Sequence, residues 1–325
     1  MSTFFSCCST CRRRPNDLMP PDFVQTQSGP HTIVLYAVRH GEALHNICER
    51  QAKEQAEMEI SRNKGSLSRI GSGSALKEAA RQAALADPSL HDAPLSDAGK
   101  AGAVKARTTL TGLFAEGMAA PTLVLSSPLQ RALQTTALIF PDHADVRVRE
   151  ELRERRTGLP CDERSEVTVI STRRSFAKMR FSLVPKGAAS PGGRSSATTD
   201  AEATSPARSP VTSPENSVKE EKSDVRTRAG SVLDLLRHTY HAHAAVALVT
   251  HKGWLREFER GPLGRPCADE FGNCEVRAWT VSWSADGAVE VTRAYPHEMQ
   301  EQRLSMMPGS SERLSAVTHA ESSHV

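Results

Sequence analysis

The sequence predicts an α/β protein, a three-layer α/β/α sandwich around a mainly parallel sheet. Three short apolar runs, Thr32–Val38, Leu123–Ser127 and Ala244–Val249, each exit into a turn rich in charge, proline or glycine, with helical periodicity between them. Strands that alternate with helices are joined by crossovers, and crossovers imply parallel pairing. Nearer the C-terminus, Val276–Val281 and Val289–Thr292 alternate around Asp286-Gly287, which reads as a hairpin added to that sheet.

The elements follow in order. Residues 1–30 read as a disordered tail containing cysteine and arginine, and Thr32–Val38 as the first strand. From Asn46 to about Gln82 the chain is dense in Glu, Lys, Arg, Gln and Ala, with a break at Gly71–Ser74, so two helices are expected over one side of the site. Leu95-Ser96 opens another helix, capped by Ser96 or Asp97, running to about Glu116 with Ala101, Val104 and Leu110 as its apolar stripe. Pro128–Ala137 reads as a helix with proline in its first turn. Residues 182–229 lack apolar periodicity and are rich in Ser, Pro, Thr and charge, which reads as a disordered insertion before the last core helix, Val232–Leu236. One domain over residues 31–300, interrupted by that insertion and followed by a disordered tail at 301–325, accounts for the chain.

Composition bounds the function classes. A net charge of +3, with no basic stretch interleaved with aromatics, excludes a nucleic-acid partner and leaves positive charge for a small anionic substrate or a phosphoprotein. No run approaches the length of a membrane span, the N-terminus lacks the apolar core of a secretory signal, and seven cysteines in 325 residues do not resemble a disulfide framework. A cytoplasmic protein is expected. Cys7, Cys8 and Cys11 between Phe4-Phe5 and Arg12–Arg14 suit either an acylated, membrane-peripheral tail or a plain one; Ser2 excludes N-myristoylation. Ser190, Ser205, Ser209 and Ser213 each precede proline, the dipeptide a proline-directed kinase recognises.

Chemistry concentrates at the strand exits. Arg39-His40-Gly41-Glu42 places a histidine and a cation where a strand opens into a glycine turn, the position of a nucleophile or of an ordinary surface turn. Arg131 falls near a helix N-terminus, where backbone N–H groups and a planar guanidinium both favour phosphate oxygens. His251-Lys252-Gly253 repeats the pattern at the third exit.

These blocks resemble the histidine phosphatase superfamily, branch 1, which includes the phosphoglycerate mutases. Arg39-His40-Gly41-Glu42 with Asn46, Pro94–Gly99, Ser126–Thr135, Glu151–Glu154 with Gly158, and Val249–Gly253 match in order. The resemblance implies a phosphoglycerate mutase-like fold, His40 as the nucleophile that becomes phosphohistidine, and Arg39, Arg131 and His251 as ligands of the phosphoryl oxygens. Asn46 would complete the phosphate pocket and Glu154 would be the proton donor, with Glu150 and Glu151 close enough to be confused with it. No cofactor and no metal are implied. Lys252 stands where many relatives have glycine and either adds charge to the pocket or points to solvent.

The long spacer at residues 47–93, without a Gly-Trp segment, and the Ser-rich polar region favour hydrolysis over transfer back to a substrate. The expected activity is that of a phosphoric monoester hydrolase. The alternatives are a mutase-type phosphotransferase and a non-catalytic phosphate-binding scaffold.

Overall fold

The computed structural model describes residues 30–62, 73–182, 184 and 219–296. The N-terminal cysteines, residues 71 and 72 of the Gly/Ser break, nearly all of the Ser/Pro-rich stretch and the segment 301–325 lie outside the described residues.

Seven strands form one sheet. They are β1 (His31–Arg39), β2 (Leu123–Ser126), β3 (Val146–Val148), β4 (Met179–Arg180), β5 (Ala245–Thr250), β6 (Val276–Trp283) and β7 (Val289–Tyr295), ordered β4-β3-β2-β5-β1-β6-β7. The first five strands pair in parallel and β6–β7 is the antiparallel hairpin, so the sheet is mainly parallel as expected. Gly287, with φ of +90°, makes its turn, a conformation that favours glycine.

The helices are α1 (Leu44–Arg62), α2 (Gly73–Leu85), α3 (Asp97–Ala115), α4 (Gln130–Ile139), the single turn α5 (Val167–Ile170), α6 (Lys222–His238) and α7 (Lys252–Arg260). Alternation along β1 sends Ile33, Leu35 and Ala37 into a core with α6 and α7, and Tyr36 and Val38 into a second core with α3 and α4. Two cores on opposite faces of one sheet make the three-layer sandwich. α1 and α2 pack on one another beside it.

Three details correct the sequence reading. The buried face of α3 is Gly99, Ala103, Ala106, Leu110 and Leu113, a spacing of three and four, whereas Val104 is half exposed and Ala101 exposed. The boundary at 229 is too late: residues 222–229 are the first turns of α6, where Val225 and Ala229 are fully buried and Glu221 with Asp224 forms a capping box. One apolar residue per turn suffices there because the other faces of the helix carry charge. Pro128 lies outside α4, whose N-cap is Leu129.

Candidate active site

Parallel pairing sets Arg39 opposite Thr250 and Ser126 opposite Val249, so the ends of β1, β2 and β5 are level. The turns leaving them converge at the C-terminal edge of the sheet, where open α/β sheets bind ligands.

His40 is buried, and its N–H donates to Thr250 O at 2.9 Å. Its ring Nδ1 lies 2.7 Å from Gly41 O. A carbonyl only accepts, so Nδ1 carries the proton and Nε2 keeps its lone pair. Burial first, then Arg131, Arg39 and His45, holds the ring well below the ordinary imidazole pKa, so it is neutral. The turn is braced from both sides. Gly41 N–H donates to Thr135 Oγ1 at 3.0 Å, and Asn273 Nδ2 donates to His40 O at 3.1 Å.

Arg131 is the second residue of α4 and is fully buried. Its NH1 donates to Cys161 O at 2.5 Å and its NH2 faces Asp162 Oδ1 at 3.4 Å, while Nε is buried without a partner. Burial raises the Asp162 carboxyl above its usual range, opposed by Arg131 and reinforced by Glu154. Arg39 donates from NH1 to Phe271 O at 2.7 Å, and its Nε is likewise buried and unpartnered.

His251, the N-cap of α7, lies with its ring 5.0 Å from that of His40 and pairs Nε2 with Ser127 Oγ at 2.7 Å. That hydroxyl also accepts from Leu129 N–H, and His251 Nδ1 is buried without a partner. Burial, then Arg131 and His40, keeps His251 well below the imidazole range.

Glu154 is the carboxylate that reaches this cluster. Trp254 Nε1 and Arg228 hold Glu151 O, and Thr250 Oγ1 holds Leu152 O, so the 151–154 segment is pinned against β5, α6 and α7. Glu154 Oε2 then accepts from Gly253 N–H at 3.1 Å, in the first turn of α7, and Oε1 from Arg155 N–H at 2.9 Å. Glu151 instead forms a bidentate pair with Arg149, and Glu150 pairs with Arg153 and Arg164. The three glutamates are thereby told apart.

The remaining sequence candidates are placed differently. Asn46 spends its Oδ1 capping α1 through Ala43 N–H at 3.0 Å and sets Nδ2 against His45 Nε2 at 3.0 Å, so it positions a second histidine. Lys252 pairs with Glu270 at 3.1 Å with both side chains more than two-fifths exposed; of the two readings of Lys252, the solvent-facing one matches this placement.

Sequence reasoning missed His45, Asp162 and the role of Ser127. His45 is buried, its ring is 6.1 Å from that of His40, and burial with Arg131 and Arg39 holds it neutral. The first turn of a helix directly behind the Arg-His-Gly tetrad was the available signal. Among the described residues no group of three or more His, Cys, Asp or Glu side chains is arranged to hold a metal ion, and no helix is long and apolar enough to cross a membrane.

Arg39 Nε, Arg131 Nε, His45 Nδ1 and His251 Nδ1 are thus buried without a partner, on two cations whose charge acts on His40 and two histidines whose rings lie 6.1 and 5.0 Å from its own. Buried donors require acceptors, and an oxyanion offers several at once.

No curated protein matches the chain. Among solved structures it is similar to a mycobacterial glucosyl-3-phosphoglycerate phosphatase, at 17% identity over 82% of this chain and 97% of that one, with a TM-score of 0.42. An alpha-ribazole phosphatase from Shigella flexneri matches at 16% identity over 76% and 90%, TM-score 0.40. A phosphoserine phosphatase from Entamoeba histolytica matches at 16% over 80% and 95%, TM-score 0.40. Residues 88–205 match the family model of the histidine phosphatase superfamily (branch 1), a span that contains Arg131 and Glu154 but neither His40 nor His251.

Proposed function

We propose that the protein is a phosphatase that hydrolyses a phosphomonoester through a phosphohistidine on His40. One observation carries the reading: the neutral His40 ring is fixed with Nε2 unprotonated, beside cations and histidines that keep buried nitrogens without partners.

The chemistry follows from those positions. Nε2 attacks phosphorus, and the charge on the three equatorial oxygens is taken up by Arg39, Arg131 and His251, with His45 beside them. The P–O bond to the alcohol breaks as Glu154, in its acid form, gives its proton to the leaving oxygen. Glu154, now ionised, takes a proton from the incoming water, whose oxygen attacks the phosphohistidine and releases inorganic phosphate. His40 returns to its starting state because Gly41 O holds the Nδ1 proton throughout. The long helical spacer and the polar insertion, which form no aromatic lid in sequence, support water over a second alcohol as acceptor.

The test is phosphate release from p-nitrophenyl phosphate by wild type and His40→Ala, with an alkaline denaturing quench that preserves a phosphorylated, base-stable and acid-labile intermediate. Wild-type turnover with an intermediate absent from His40→Ala is expected. Equal turnover by the two proteins overturns the mechanism.

A further inference from the structure

α1 carries the lining of the pocket outward. His45 is in its first turn, 6.1 Å from the His40 ring, and Glu49 lies four residues on, on the same face and one turn farther from the nucleophile. Glu49 Oε1 accepts from two cations, Arg81 Nε of α2 at 2.9 Å and Lys53 Nζ at 2.6 Å. α2 ends one turn beyond Arg81, and the chain continues to Asp92, whose N–H donates to Pro160 O in the turn that carries Cys161 and Asp162, the anchors of Arg131. Arg81 thus stands between the His45 helix and the anchor of Arg131. Its charge acts on both sides, at His45 and at Asp162.

The cations nearer His40 are engaged otherwise. Arg39 and Arg131 are fixed by backbone carbonyls beside the nucleophile, whereas Arg81 is held only by carboxylates, Glu49 and the half-exposed Glu78. Such partly solvated pairs contribute little and exchange readily. A ligand carboxylate or phosphate that excludes water from the same guanidinium makes a stronger, bidentate pair.

We propose that Arg81, with Lys53 beside it, is a second anion subsite, and that the substrate is a phosphomonoester bearing a further carboxylate or phosphate remote from the scissile bond. This rests on the phosphatase reading of His40. Glu49 occupies the subsite in the free protein and is displaced by the second anion.

Three aryl phosphates that differ only at the para position test it: phenyl phosphate, 4-carboxyphenyl phosphate and 1,4-phenylene bisphosphate. Wild type should turn over one or both doubly anionic probes with a kcat/KM at least tenfold above that of phenyl phosphate, and the better of the two identifies the second group. Arg81→Gln should lower that ratio about tenfold through KM, Arg81→Lys should retain part of it, and Glu49→Gln should raise it. An unchanged ratio in Arg81→Gln, or no preference in wild type, overturns the subsite. Equilibrium binding of the same probes to His40→Ala reads the subsite without turnover. An Arg81-dependent preference in binding, with no phosphate released by wild type, sinks the phosphatase reading and leaves the subsite standing.

Discussion

Glu154 occupies the space that a side chain at Gly253 would need. A Cβ there would overlap Glu154 Oε1 and stand 3.2 Å from the carboxyl carbon, while the Gly253 N–H holds Oε2. The glycine in the His251-Lys252-Gly253 turn is therefore a matter of room for that carboxylate as well as of backbone geometry. Gly253→Ala should leave the protein folded, since alanine suits a helical first turn, yet displace the carboxylate and lower kcat by about a hundredfold. Steady-state turnover beside a thermal melt decides it; near-wild-type kcat would remove Glu154 from the donor role.

The three neighbouring glutamates should separate in function as they do in space. Glu154→Gln is expected to lower kcat by roughly 10²–10⁴-fold, the usual contribution of a positioned general acid. Glu151→Gln breaks only its pair with Arg149 and should leave kcat near wild type. A greater loss in Glu151→Gln than in Glu154→Gln would reassign the proton donor by one turn.

Burial of His40, His45 and His251 in neutral form makes the fold acid-sensitive. Each has a folded pKa pushed well below 6.5, the ordinary value, so on acidification the unfolded chain gains protons first. Stability is fully present above about pH 6.5 and falls as pH drops below it, by up to about 1.4 kcal/mol per pH unit for each histidine until its folded pKa is reached. Urea denaturation between pH 7.5 and 5 should show a falling midpoint. Replacing His45 with glutamine should flatten the slope, and a midpoint independent of pH in this range would contradict neutral burial.

Gly99 sets how closely the His40 turn approaches α3. A Cβ on Gly99 would overlap Glu42 O and lie 2.8 Å from Glu42 C, beside the bond from Ser96 N–H to that same oxygen. Gly99→Ala should cost about 1–3 kcal/mol as backbone is forced apart, read as a lower urea midpoint. Loss of activity in proportion to unfolding alone would show that the turn moves without disturbing His40.

Much of this arrangement was readable in the sequence. β1, β2 and β5 announce themselves because central parallel strands are buried on both faces and read as continuous apolar runs. β3 and β4 did not, since Val146–Val148 alternates with Arg147 and Met179–Arg180 is two residues long; such strands are defined by the neighbours they pair with. His40, Arg131 and His251 were visible as strand exits. His45 was not, because its burial depends on how α1 folds back over the turn, and Lys252 was indistinguishable from a pocket cation until Glu270 supplied its partner. The order of Glu150, Glu151 and Glu154 along one turn says nothing about which faces α7.

β5 lies between β1 and β2, although it follows both in the chain by more than a hundred residues. Until residue 250 has left the ribosome, the first strand has no parallel neighbour and the pair β2–β3 has no attachment to it. The nascent chain must hold two incomplete half-sheets, with their apolar faces uncovered, through synthesis of the whole intervening segment. Biogenesis of this protein is therefore set by the arrival of its central strand, and any chain ending before Thr250 should be a client for chaperones with no assembled pocket.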